Sequence, residues 1–341
     1  MGSLRKLILE FIAIFVLSWV VEFIYLGVKG VLEGSMVSLL EMSLSFDNAV
    51  MNAIVLSAMP PVWRRRFITW GIVFAVFGMR FLFPLLIVSL TAKIGMVETL
   101  DLALHKPDVY SGYLKASEEI ILSFGGAFLF MVFVNWLFDA AKRVHWILFL
   151  EEKASKVARV GEIKLILALS VVLLVGSLKG EESITLSMVF GVLLFEVVNF
   201  VKRSIDYFKK DNGVKSGWAN FLYLELLDAS CSLDGAVSAF AVSTNLIIIT
   251  IGLSVGAFIL RSLTVYFVDT GKVSQLPYIE HGAHWGIGGL GILMILELFI
   301  KIPEFVVSLI ALFFILSSLY SSFRKLKEDK GESSPIGELS N

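Results

Sequence analysis

Two stretches of this chain set carboxylates and hydroxyls at the same spacing. The first holds Glu41, Ser43, Ser45, Asp47 and Asn48 and runs on into Ala49-Val50. The second holds Asp228, Ser230, Ser232, Asp234 and Gly235 and runs on into Ala236-Val237. Glu225 adds a further acid one turn ahead of Asp228. Carboxylate, amide and hydroxyl oxygens are hard donors, a set that suits Mn²⁺, Mg²⁺ or Ca²⁺ better than Cu or Zn, which favour imidazole and thiolate. Cys231 stands opposite Leu44 in the repeat and reads as a packing residue. Both stretches lie inside long apolar runs, where a carboxylate costs about 2.5 kcal/mol or more. Acids in such places are read first as a functional site.

The elements that must position these residues are membrane helices. Of 341 residues 57% are hydrophobic and 17% charged, and mean hydropathy is +0.83. A soluble domain carries roughly a quarter charged residues. The expected fold is an all-α integral membrane protein with about ten transmembrane helices, at about 7–28, 35–59, 66–91, 118–139, 163–178, 183–201, 217–243, 246–270, 280–299 and 302–321. With ten spans, 21 Lys and Arg fall on the side of the termini and 6 on the other. The positive-inside pattern then places both termini in the cytoplasm of a cell membrane. Net charge of -1 is uninformative, and the single cysteine, Cys231, excludes an intramolecular disulfide and a Cys-based metal site.

In this topology the two motif spans run in opposite directions, and each is followed by a span with an inward arginine, Arg80 or Arg261. That is an inverted repeat, an arrangement in which transporter sites lie at the midplane. The expected organisation is repeat one at about 35–139, an insert with two extra spans at about 140–216, repeat two at about 217–321, and a disordered polar tail at 324–341. At about 100° per residue, Glu41, Ser45 and Asn48 share one stripe, with Ser43 and Asp47 roughly 120° away. Either the span lines a wide polar cavity or its helix is broken near the motif. Arg80 and Arg261 read as gating or charge-pairing residues, since they would repel a cation directly.

The first motif, an acid followed by Leu44-Ser45-Phe46-Asp47-Asn48, resembles that of the tellurium-resistance TerC family in the LysE-type transporter superfamily. Glu225-Leu-Leu-Asp228 with Asp234 resembles the family's second motif. Pro60-Pro61 with Arg64, Arg65 and Arg66, Trp70-Gly71 leading to Arg80, and Gly125-Gly126-Ala127-Phe128-Leu129 fit the segments after the first motif. Gly235 stands where the family has Ser-x-Pro-Ala, and the 140–216 insert is longer than in short members. The resemblance implies divalent-metal handling, with Mn²⁺ efflux foremost.

The resulting expectation is a secondary transporter, an exporter of Mn²⁺ first and of Ca²⁺ or Mg²⁺ as alternatives, working by alternating access. Glu41, Asp47, Asn48, Glu225, Asp228 and Asp234 are the candidate metal ligands, and Ser43, Ser45, Ser230 and Ser232 the secondary contacts. Its expected partners are the lipid bilayer, the transported cation and protons as counter-ion, with no tightly bound cofactor and no nucleic acid. Glu280, His281 and His284 form a candidate second site, with the histidines three residues apart. Glu22, Glu118, Glu119, Glu196 and Glu297 line a pathway or cap helix ends. The alternative is a metal-binding membrane scaffold or assembly factor in metal or tellurite stress. No nucleophile paired with a base, no HExxH and no phosphate loop appears, so an enzyme is not expected.

Overall fold

In the computed structural model, the described residues are 2–57, 59–140, 142, 144–158, 162–208, 220–228, 239, 242–243, 245–271 and 275–332. Among them every regular element is helical. Among the described residues four segments are long and apolar enough to cross a membrane: Leu7–Met42, Glu118–Leu137, Glu182–Phe200 and Leu246–Asp269.

The first helix, α1, runs Gly2–Leu44 but doubles back at Gly27, whose φ of 64° and ψ of -152° no L side chain adopts comfortably. Leu7–Met42 would measure about 54 Å as one straight helix, nearly twice a bilayer core. The reversal resolves this into two antiparallel legs, and Trp19 on the first leg donates to Ser35 Oγ on the second at 2.9 Å. The second leg ends at a bend on Ser45, after which α2 runs Phe46–Ser57. Of the two geometries open to the first motif, the helix is broken within it.

Then come α3 (Pro61–Val73), a π-helical stretch Phe74–Leu82, and α4 (Phe83–Ala92), without a gap between them. The segment 92–117, between two of the expected spans, holds two short helices, α5 (Met96–His105) and α6 (Pro107–Ala116). Gly95 and Lys106 flank them, and each buries one stripe: Thr99 and Ala103 on α5; Tyr110, Ser111 and Leu114 on α6. Helix α7 (Glu118–Leu137) is the most enclosed of the apolar segments. It is followed by α8 (Leu148–Val157), α9 (Ile163–Lys179), α10 (Glu182–Phe208) and a helical segment at 220–228, here α11. The remaining helices are α12 (Leu246–Asp269), α13 (Ile279–Glu297) and α14 (Glu304–Glu332). The tail expected to be unstructured from 324 stays helical to Glu332, where Arg324 and Glu328 pair at 3.0 Å one turn apart.

Small residues set the closest approaches. On α12, Gly252 and Gly256 form a GxxxG pair against Gly34 and Ser38 of α1, and Ser38 Oγ donates to the Gly252 carbonyl at 3.0 Å. A Cβ on Gly256 would stand 2.6 Å from Glu41 Cγ, so the glycine lets the Glu41 side chain lie flat against α12. Gly126 on α7 and Gly291 on α13 bring those two backbones together in the same way. One apolar core gathers α7, α9, α10 and α13 around Phe128, Met131 and Met188. A second joins α1, α4, α5, α6 and α12 through Val37, Tyr110 and Leu253. A third, around Leu56, Phe67 and Leu224, packs α2, α3, α11 and α12 together, with Phe67 against Arg261.

Candidate cation site

Glu225 and Asp228 lie three residues apart on α11, and hence on one face. Arg261 projects from α12 between them. Its Nη1 donates to Glu225 Oε1 at 2.9 Å, and its Nη2 donates to Glu225 Oε2 at 2.8 Å and Asp228 Oδ2 at 2.9 Å. Nη1 also donates to the Phe67 carbonyl at 3.1 Å, and the guanidinium stacks 4.4 Å over the Phe67 ring. Arg261 and Glu225 are each 2% exposed. A Cβ at Gly71 would overlap both Arg261 Nη1 and Glu225 Oε1, so the glycine on α3 is what admits the ion pair.

On the other side of Asp228 lies the first motif. Asn52 Nδ2 faces Asp228 Oδ1 at 3.4 Å, while Asn52 Oδ1 is buried with no hydrogen-bond partner among the described residues. Ser45 Oγ donates to Glu41 Oε1 at 3.3 Å, and Glu41 is fully buried. Thr264 Oγ1 lies on the α12 face one turn after Arg261 and donates to the Leu260 and Ala49 carbonyls. Glu41, Ser45, Asn52, Asp228, Arg261 and Thr264 line a cavity of about 10 Å³. That is room for one water-sized occupant.

The structure therefore brings Glu41, Ser45, Glu225, Asp228 and Arg261 together. Asp47, Asn48 and Ser43 lie on helical backbone beside the site, but their side chains, like that of Arg80 in the π-helical stretch, are outside the described residues. Ser230, Ser232 and Asp234 lie outside them altogether. Among the described residues no group of three or more His, Cys, Asp or Glu is arranged to hold a metal. Glu225 and Asp228 face the guanidinium. Sequence reasoning missed Asn52 and Thr264. The signal for Asn52 was present, because Glu41, Ser45, Asn48 and Asn52 continue one stripe at intervals of four, three and four.

The candidate second site does not assemble. His281 Nδ1 lies 2.8 Å from Glu151 Oε2, whereas His284 Nδ1 bonds to the Glu280 carbonyl and its ring stacks on Trp136 at 4.6 Å. Glu280 is exposed. The focus is Glu151, a fully buried acid on α8 that also accepts from Trp285 Nε1 at 2.9 Å and from the backbone N–H groups of Trp146 and Ile147. Burial pushes its carboxyl up, but the hydrogen bonds from His281 and Trp285 and the His281 charge outweigh that and lower it to about 2. Burial lowers the Lys142 ammonium, which rests 3.4 Å over the Trp136 ring. Nearby, a cavity of about 730 Å³ is lined by Ile54, Val55 and Ser57 of α2, Tyr223 of α11, and Asn135, Lys164, Asn199, Glu280 and His284.

These features define an all-helical protein with membrane-length apolar helices and a buried Arg–carboxylate cluster where α1, α2, α11 and α12 meet. Residues 46–329 match the family described as Protein of unknown function (DUF475), and the chain belongs to that family. No curated protein and no solved structure matches the chain.

Proposed function

We propose that this protein is an integral membrane transporter for a hard divalent cation, with Mn²⁺ the first candidate and Ca²⁺ and Mg²⁺ the alternatives. The observation that carries the reading is the single-occupant cavity walled by the Glu41 and Asp228 carboxylates, Ser45 and Asn52, whose Oδ1 has no hydrogen-bond partner among the described residues. A buried carbonyl oxygen without a donor is costly in an apolar interior, and a cation would satisfy it. Asp47, Asn48 and Asp234 are the further ligands in this reading, since their motifs meet the same site in sequence.

Arg261 then acts as an internal stand-in for the cation. With the site empty it neutralises Glu225 and Asp228, and an entering ion competes with it for Asp228. The large cavity supports a route from the side that carries the excess of Lys and Arg, because it shares α2 and α11 with the site. Alternating access would close this route and open one along the α1 hairpin, with protons as counter-ion.

A second reading, a membrane scaffold held by its buried charges, is favoured by the same Arg261 bonds, which tie α11 to α12 and α3. Ion flux separates the two. Protein reconstituted in liposomes is challenged with Mn²⁺, Ca²⁺, Mg²⁺ and Zn²⁺, as wild type and as Glu41→Gln, Asp47→Asn and Asp234→Asn. Selective flux that the substitutions abolish in folded protein supports transport. Wild-type protein that binds or moves none of these ions leaves only the scaffold.

A further inference from the structure

Glu22 is a buried acid that the cation site does not use. It sits on the first leg of α1, 1% exposed, and neither carboxyl oxygen has a hydrogen-bond partner among the described residues. The hairpin at Gly27 presses it against the second leg, where the residues facing it are glycines. A Cβ on Gly34 would overlap the carboxyl itself, and a Cβ on Gly30 would stand 2.6 Å from the Glu22 carbonyl oxygen. The acid therefore rests on bare backbone rather than beside a donor.

Of the three charged residues of the facing leg, Glu41 lies at the cation site and the other two are turned elsewhere. Lys29 and Glu33 pair with each other at 3.5 Å, and Glu33 also accepts from Ser243 Oγ at 2.6 Å. Both lie roughly 100° or more around the helix from Gly34. Among the described residues neither a cation nor a donor meets this buried carboxyl, so a proton is the partner it can take up.

Its position gives that proton a use. Glu22 lies five residues before the turn, about 7.5 Å along the helix. Gly34, which it touches, begins a stripe on the second leg that continues through Ser38, Glu41 and Ser45 at intervals of four, three and four. Ser38 Oγ bonds along this stripe to the Gly34 carbonyl at 2.9 Å. Glu41, the first acid of the cation site, is about 10 Å further along it. A protonatable carboxyl and a cation-binding carboxyl thus mark two levels of the same helix face.

We infer that Glu22 is a proton-carrying site of this protein, taking one H⁺ from water on the side of the α1 turn and releasing it to water on the opposite side as cation passes the Glu41 site in the other direction. Only the O–H bond forms and breaks, and the carboxyl cycles between neutral acid and carboxylate. The inference rests on the transport reading, and its test separates the two.

Full-length protein in liposomes is given a Mn²⁺ gradient, with Mn²⁺ and proton movement recorded together, as wild type, Glu22→Gln and Glu22→Asp. Glu22→Gln is expected to bind Mn²⁺ as wild type does, to lose coupled proton movement by about tenfold or more, and to show flux that no longer varies with pH; Glu22→Asp recovers part of the coupling. Proton coupling unchanged in Glu22→Gln overturns the inference. Infrared spectra supply a readout that needs no transport. A protonated-carboxyl band present in wild type at neutral pH and missing in Glu22→Gln supports proton binding at Glu22 even if no cation moves, an outcome that sinks only the transport reading. Identical spectra for the two proteins overturn the inference whatever the flux.

Discussion

Removing Arg261 tests whether its bonds hold the fold or only wait for a cation. Arg261→Met deletes two hydrogen bonds to Glu225, one to Asp228 and one to the Phe67 carbonyl, at 2.8 to 3.1 Å, and leaves two carboxylates without their guanidinium. Removing one partner of a buried ion pair costs about 3–5 kcal/mol. The two bonds to Glu225, each charge-assisted and worth about 1.5–3 kcal/mol, are alone enough to account for that. Unfolding in detergent, followed by tryptophan fluorescence, should show this loss. Divalent cation should reverse part of it, because the ion takes over the charge that Arg261 supplied. Glu225→Gln combined with Arg261→Met should cost less than the two single changes summed, since the double change leaves one carboxylate fewer unpaired. A cost for Arg261→Met below about 1 kcal/mol, or strict additivity in the cycle, would refute the claim that these groups form one unit.

Gly71→Ala should disturb the same unit from the α3 side, destabilising by about 1–3 kcal/mol and lowering cation binding, as read by unfolding and titration of the purified protein. Gly27→Ala places a Cβ in a backbone region that glycine alone tolerates, so it should cost about 1–3 kcal/mol and loosen the hairpin, which a spin-label distance between the two legs would report. Glu151, held at about 2 against an ordinary 4.5, should contribute up to about 3 kcal/mol that is fully present above pH 4.5 and lost as pH falls through about 2. The stability difference between wild type and Glu151→Gln should therefore shrink across that window, and a difference that stays constant would contradict the assignment. Asn52→Ala should weaken divalent-cation binding by about tenfold in a titration, and because it also removes the Asn52 Nδ2 bond to Asp228 at 3.4 Å it should cost about 1–2 kcal/mol in unfolding.

Local pattern made part of this architecture readable. The Glu225–Asp228 spacing and an arginine in an apolar run foretold charged groups that must meet, and α11 and α12 bring them within hydrogen-bond distance. The conflict between two stripes in the first motif foretold either a cavity or a break, and the break falls at Ser45. What stayed hidden depended on distant partners. Glu151 stands in a charged Glu-Glu-Lys run that reads as a solvated face, yet its burial is set by His281 and Trp285, more than a hundred residues away. The pairing of His281 with Glu151 and the stacking of His284 on Trp136 likewise undo a cluster that helical spacing alone would assemble. The helices of 92–117 carry little apolar signal because their buried stripes use Thr99, Ala103 and Ser111, which are small or polar.

The most direct test of the central claim is Mn²⁺ binding to the purified full-length protein, followed by electron paramagnetic resonance as free Mn²⁺ is depleted. The account predicts binding in wild type that Ca²⁺ or Mg²⁺ displaces and that Glu41→Gln and Asp228→Asn each weaken by about tenfold or more, in variants that still fold. Wild-type protein that leaves the free Mn²⁺ signal untouched, or binding indifferent to both substitutions, would contradict it.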